Sequence, residues 1–415
     1  MAKYKLKDCF LLIKNGAVIQ QRKGAVGYPI TRIETLSNGR FNRDRMGYAD
    51  IFDITPYKDY VLDDCDILMS HINSREFLGR TVLYRKENDE TIIHGMNVLR
   101  IKTNPELLDA QYANYLFQTS YFKKLIDSIR KDAINQSSIA ISDICGLELD
   151  IPTMKEQRQI AAVLSTLDDK IALNRAINDN LEAMAKQLYD YWFVQFDFPN
   201  EEGKPYKSSG GKMVLNEKLK RDIPAGWNVK SIFNELSVQY GYPFSTDQFT
   251  EEQTNVPVVR IRDILDNSIS AYSHEGTDDK YRLNEGDLLV GMDGNFHMNY
   301  WIDNTAYLNQ RSVRLRATER STVSVVQARY DIAPYIKAKE LRAKGSTVGH
   351  LSDKDLKELY VIVGTSNKLR EAFDSLLNRI IANRKENLLL IKQRDELLPL
   401  LMNGQVSVNY HLSHD

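Results

Sequence analysis

The chain carries the same pattern twice, half a length apart, and that repetition limits what it can fold into. The segment YPITRIETL, Tyr28 to Leu36, is answered by VPVVRIRDIL, Val256 to Leu265. Pro29, Arg32 and Ile33 match Pro257, Arg260 and Ile261. YVLDDCDIL, Tyr60 to Leu68, is answered by YRLNEGDLL, Tyr281 to Leu289, and Ser142 and Asp143 pair with Ser352 and Asp353. Each copy is followed by a long helical pattern. A half-length repeat predicts two similar domains in one polypeptide. With 415 residues, 42% of them hydrophobic, each half can bury a core of its own.

Both halves read as α+β. In residues 1–152 the β-rich runs are Val18–Ile19, Tyr28–Ile33, Asp66–Met69, Thr81–Tyr84 and Val98–Ile101, broken by Gly, Asn and Asp. Asn104 and Pro105 are placed to open a helix whose apolar face runs from Leu108 through Tyr112 and Leu116 to Leu125. A short strand, Leu147–Ile151, closes the domain. Residues 228–365 repeat the plan, with strands near Val256–Ile261, Leu288–Val290 and Val313–Leu315 and a helix near Asp331–Ala343. Between them, 196–227 is rich in Pro, Gly and Ser and reads as a linker. Residues 405–415 read as a polar tail.

Two long helices complete the plan. Thr153 and Glu156 have capping-box spacing, which predicts a helix over 153–195. Ile160, Leu164, Leu167, Ile171, Asn174, Asn178, Leu181 and Leu188 recur in steps of three, four and seven, a heptad seam. Asn174 and Asn178 interrupt it with polar groups of the kind that set register. A second helix over 366–404 carries Phe373, Leu377, Ile381, Leu388, Ile391 and Leu398 and stops at Asn403–Gly404. Each helix is roughly 55–60 Å long at 1.5 Å per residue. The expected arrangement is an antiparallel coiled-coil spacer within the chain; pairing with a second copy or with a partner's helices is the alternative.

Composition excludes several classes. No run reaches the roughly 18 apolar residues of a membrane helix, and MAKYKLKDCF lacks signal-peptide character. Cys9, Cys65 and Cys145 are dispersed, without metal or disulfide spacing, as expected of a reducing cytoplasm. The seven histidines are scattered, and only His411 and His414 are close, so no metal site is expected. SSGGKM, Ser208 to Met213, lacks P-loop spacing. DFPN, Asp197 to Asn200, is no Asn/Asp-Pro-Pro-aromatic methyltransferase motif, and no glycine-rich cofactor loop accompanies it. Net charge is −1, yet cations cluster locally. Lys14, Arg22, Lys23, Arg32, Arg40, Arg43 and Arg45 oppose only Glu34 and Asp44, while Arg311, Arg314, Arg316 and Arg320 gather in the second half. Local basic surface on a neutral chain suits site-specific nucleic-acid binding.

EQRQIAAVLSTLDDKIALN, Glu156 to Asn174, and the run from Trp192 through FDFPNEEGKPYKSSGG to IPAGW resemble the central region of type I restriction–modification specificity subunits. The GDLL-type segment at 286–289 and the GSTV loop at 345–348 resemble that family's target recognition domains. The first half departs from them, with Cys65 for Gly286 and INQSS, Ile134 to Ser138, for GSTV. The resemblance implies a chain with no chemistry of its own. Each domain reads one half of a bipartite double-stranded DNA site, and the helices set the gap. Two modification subunits then dock, methylating adenine with S-adenosylmethionine, and motor–nuclease subunits using ATP and Mg can join. It also implies a bacterial or archaeal cytoplasmic protein, associated with the nucleoid when bound.

Base readout needs Arg, Lys, Asn, Gln, Ser and Thr on loops. In the first half the candidates are Arg22, Lys23, Arg40, Asn42, Arg43, Arg45, His71, Asn73, Ser74, Arg75, Gln136, Ser137 and Ser138. In the second they are Tyr242, Ser245, Thr246, Asp293, Asn295, His297, Asn299, Tyr300, Gln310, Arg311, Lys344, Ser346 and Thr347. Arg32 and Arg260, recurring in both halves, read as structural or phosphate-positioning groups. A coiled-coil protein scaffold and a stand-alone DNA-binding regulator are the rival readings. Inserting seven residues into each long helix, in register, is expected to lengthen the gap in the recognised site and leave both half-site sequences unchanged; mapping the methylated sites of such a variant checks this.

Overall fold

The structure is a computed structural model that describes residues 2–37, 39–134, 136–294, 296–343 and 349–408. It divides into two compact units, Met1–Asp169 with Leu390–Asp415, and Lys170–Leu389.

The sequence repeat is a repeat of topology. The first unit has a four-stranded antiparallel sheet in the order Phe10–Asn15, Val98–Thr103, Ile67–Ser70, Thr81–Leu83. The second has Ser237–Tyr240, Ser312–Arg316, Leu288–Gly291, Met298–Tyr300 in the same order and sense. A two-stranded ladder accompanies each: Ala2–Lys5 with Glu148–Ile151, and Asn228–Ser231 with Tyr360–Val363. Helices pack against each sheet, so the class is α+β.

An aspartate fixes the central strand in both copies. Asp66 accepts the Asp63 N–H at 2.7 Å, and Asp287 accepts the Asn284 N–H at 2.7 Å, so each closes the turn before its strand. Asp66 lies 2.6 Å from Arg100, and Asp287 takes a two-pronged 2.6 Å contact from Arg316. Cys65 (φ 66°) and Gly286 (φ 82°) occupy the same left-handed position in that turn. Glycine adopts it without strain, whereas cysteine costs on the order of 1 kcal/mol there.

Several expectations need correction. Ile139 N–H bonds His71 O at 3.0 Å and Leu351 N–H bonds Met292 O at 2.8 Å, so Ile139 matches Leu351. Ala140 therefore matches Ser352, and Ser142–Asp143 are not the counterparts of Ser352–Asp353. Ser352 caps its helix reciprocally with Asp355; Ala140 has no side chain to do so. Val18–Ile19 form neither strand nor bridge, the neighbouring bridge being at Ala17, and Tyr28–Ile33 carries isolated bridges at Ile30 rather than a strand. Asn104 makes a turn, and the helix starts at Ala110 with Asp109 as cap. It breaks at Thr119, whose hydroxyl accepts the Phe122 N–H and starts Ser120–Ile129. The second-half helix begins earlier than expected, Val325–Ala343. Residues 196–227 are not a loose linker. Met213–Asn216 and Arg221–Pro224 form a hairpin, and Phe196, Phe198, Ile223 and Trp227 are buried in the core of the second unit.

The long helices are Met154–Tyr189 and Asn367–Met402. Glu156 accepts the Thr153 N–H at 2.9 Å, completing the cap. In the first unit Ile160 and Leu164 pack with Leu401 and Met402, and Arg394 pairs with Asp168 at 2.9 Å. In the second unit the two helices run antiparallel, and their seam is polar at its centre. Asn174 donates to Asn387 (3.1 Å) and Glu386 (2.6 Å), Asn178 to Ile380 O (3.2 Å), and Asn383 to Asn178 (2.9 Å). Leu181, Phe373, Leu377 and Ile381 are buried beside them, while Leu167, Leu188, Ile391 and Leu398 are half-buried. Leu388 is the exception among the seam residues: it is 50% exposed, and Asn387 occupies the facing position. Because a buried amide left unpaired costs about 1–3 kcal/mol, Asn174→Ala is expected to lower the urea midpoint, and replacing Asn174 and Asn387 together by Leu to recover most of the loss.

Candidate nucleic-acid interface

In the first unit, two loops far apart in sequence are joined beyond the central strand. Ile72–Asn73 pairs with Ser137–Ser138, which pairs with Lys131–Asp132. The Ser137 hydroxyl donates to Asp132 at 2.6 Å, and Ser137 is buried while Ser138 is half-buried. Arg130, with that hydroxyl, holds the Asp132 carboxyl down to about 2. Asn73 donates to Ser70 Oγ and accepts the Ser74 N–H, holding the turn. Ser74, Arg75 and Gln136 are left exposed at its rim.

Several other first-half candidates are tied into the fold. His71 is buried, and burial pushes its pKa down. Asn42 caps the turn Arg43–Arg45 by accepting the Asp44 N–H. Arg43 is committed to a network, bonding Glu90 at 2.9 and 2.6 Å, Glu87 at 2.8 Å and Arg85 O at 2.8 Å. Arg40 is half-buried, and burial lowers its pKa. Arg45 and Lys23 are exposed, and Arg22 is exposed while pairing with Asp50.

The second unit builds the same end from different residues. Asp293 bridges His350, and Gly294 N–H bonds Gly349 O at 2.9 Å, matching the pairing of Ile72–Asn73 with Ser137–Ser138. Tyr242 bridges Asn309, Gln310 N–H bonds Tyr242 O at 2.9 Å, and Met292 N–H bonds Arg311 O at 2.8 Å. Four loops thus converge. Arg260, Arg262, His297, Asn309, Gln310 and Arg311 line a concave surface there. Arg262 and Arg311 are more than two-thirds exposed, and Gln310, Ser245 and Thr246 are exposed.

Here too some candidates face inward. Asn299 is buried and donates to Ile264 O and Leu265 O at 3.1 and 2.7 Å. Tyr300 is 2% exposed, with the Arg329 guanidinium 5.0 Å from its ring centre. The Tyr242 hydroxyl donates to Glu275 at 2.6 Å, and its ring packs on Phe244 and Tyr281. Asn295, Lys344, Ser346, Thr347, His411 and His414 lie outside the described residues. Asn309, from the NQR loop Asn309 to Arg311, joins the surface, as does Arg262, which was not a candidate; His350 stands beside it through its bridge to Asp293. The signal for Arg262 was its place in the repeated RIRDIL segment. Arg260 is tied to Ser270 at 2.9 and 2.6 Å, consistent with a positioning group.

Residues 1–183 and 224–388 match the model of the type I restriction modification DNA specificity domain, and the chain belongs to that family. It is 32% identical over 257 residues to the MjaX type I restriction enzyme specificity subunit of Methanocaldococcus jannaschii, covering 61% of this chain and 57% of that one. It is 27% identical over 316 residues to the MjaIX specificity subunit of the same organism, covering 72% and 69%. The chain thus spans little more than half of the first relative's length. The crystal structure of a type I restriction–modification S subunit from M. genitalium shares the fold, with a TM-score of 0.56 over 96% of this chain and 95% of that one at 16% identity. Among the described residues no helix is long and apolar enough to cross a membrane.

The Arg43 network has a pH signature. Its hydrogen bonds hold the Glu90 carboxyl down from 4.5 to about 2. A depressed carboxylate stabilises the fold above its unfolded pKa, and that contribution is lost as pH falls from about 4.5 to about 2. Arg43→Ala is expected to cost about 1–2 kcal/mol at neutral pH and to flatten the acid limb of stability against pH, as measured by urea unfolding from pH 7 to pH 2.

Proposed function

We propose that this chain is the non-catalytic DNA-reading subunit of a type I restriction–modification complex. Each α+β unit reads one half of a bipartite double-stranded site, and the two long helices set the gap between the halves. The observation that carries this reading is a common frame with unlike rims. The sheets share order and register, yet Ser74, Arg75 and Gln136 stand at the rim of one and Arg262, His297, Gln310 and Arg311 at the rim of the other. Two half-sites of different sequence call for that combination. Hydrogen-bonding side chains on loops can enter the major groove, and cations beside them supply the salt-dependent phosphate term.

Partners follow from the helices. Leu173, Ile177 and Met184 are exposed on Met154–Tyr189 at spacings of four and seven. An apolar stripe on a solvent-facing helix supports docking of partner helices. The partners proposed are two methyltransferase subunits carrying S-adenosylmethionine, with motor–nuclease subunits that use ATP and Mg, all in the cytoplasm of a bacterium or archaeon. The same stripe is what a pure protein scaffold would present. DNA methylation separates the two readings.

Mapping N6-methyladenine across the host genome, with the gene present and deleted, tests the proposal. Loss of one bipartite motif on deletion is the expected result; an unchanged map, in a host whose methyltransferase subunit is expressed and active, would sink it. Ile177→Asp is expected to abolish co-purification with the methyltransferase while leaving the helical circular-dichroism signal unchanged.

A further inference from the structure

We propose that one backbone position, equivalent in the two units, reads base identity: Asn97 an adenine in one half-site, and Arg311 a guanine in the other. The inference rests on the DNA-reading role proposed above. Each residue immediately precedes the inner strand of its sheet, Val98–Thr103 or Ser312–Arg316. Met96 N–H bonds Ala17 O at 3.0 Å just before the first, and Gln310 N–H bonds Tyr242 O at 2.9 Å just before the second. Both residues are left-handed, with φ of 68° and 65°.

Asparagine adopts that conformation readily, whereas a long side chain does so under strain. An arginine held there points to a use for its side chain, since strained residues concentrate where ligands bind. The surroundings of Arg311 agree. Its guanidinium is 69% exposed and lies 3.1 Å from the Asp293 carboxylate, which is itself only 17% exposed and is also bound by His350 Nδ1. The carboxylate tethers the guanidinium through Nη1 while most of the side chain stays open to solvent. A tethered planar fork suits bidentate recognition. Arg262, His297 and Gln310 flank it on the concave surface.

The two residue types are the ones whose bidentate geometry discriminates purines. Asn matches N6 and N7 of adenine, and Arg matches O6 and N7 of guanine. The same place in one frame therefore delivers two different readings. Asp293 is a positioning residue, acting through Arg311.

The test maps methylated adenines in a host carrying the complete system with the wild-type chain, Arg311→Asn, Asp293→Asn or Asn97→Gly. Asn at 311 and Gly at 97 suit the left-handed backbone, and Asn at 293 keeps the size of Asp, so these variants keep the fold, and the undisturbed half-site in each case reports it. Arg311→Asn is expected to lose preference for one guanine in one half-site by about tenfold to a hundredfold, leaving the other half unchanged. Asp293→Asn is expected to weaken that same preference less. Asn97→Gly is expected to relax an adenine in the opposite half. Relaxation at a base other than guanine for Arg311, or a uniform fall in methylation without relaxation, overturns the inference while the DNA-reading role stands. Absence of any bipartite motif for the wild-type chain overturns that role and the inference with it.

Discussion

A buried ion pair at the start of one strand organises each half of this protein. Asp66 with Arg100, and Asp287 with Arg316, do two jobs with one carboxylate. They close a turn through a backbone N–H, and they tie that turn to the neighbouring strand. The pair costs desolvation, and burial raises the Asp66 pKa even with an arginine at 2.6 Å. Removing the arginine would leave a buried carboxylate without its partner, at about 3–5 kcal/mol. The central strand is thereby fixed in register, and everything beyond its far end inherits that placement. The bridges to Ser137–Ser138 and to His350 follow from it.

That constraint explains which parts were legible in the sequence. LDDCDIL and LNEGDLL stand out because the aspartate, the left-handed residue and the apolar strand must follow one another at fixed spacing. The capping box at Thr153 and Glu156 and most of the seam were readable for the same reason, being local chemistry. What was not legible depended on pairing across long separations. Ser142–Asp143 look like Ser352–Asp353, but the ladder through Ile139 and Leu351 shows a two-residue offset. Leu388 has the right residue type for a seam, yet the helix phase turns Asn387 inward instead.

The interface was half legible. Loops rich in Arg, Asn and Ser were easy to find, but composition does not tell a reading group from a turn-holding one. Asn42, Asn73 and Asn299 all satisfy backbone groups, and Arg43 is consumed by Glu90 and Glu87. Arg75 and Gln310 have the same residue types with open surroundings, and Arg311 stays mostly exposed beside Asp293. The distinction is one of hydrogen-bond partners, which only folding supplies.

The asparagine row between the helices of the second unit has a consequence for how such a chain can change. Asn174, Asn178, Asn383 and Asn387 satisfy one another and the backbone at one alignment only. Sliding one helix past the other by a single turn would set these amides against leucines and isoleucines, at several kcal/mol in total when each orphaned amide costs about 1–3. The pair therefore behaves as a ratchet and not as a sleeve. Its length can be altered in whole repeats that carry the polar row along, and intermediate lengths are disfavoured by the helices themselves before any ligand is involved.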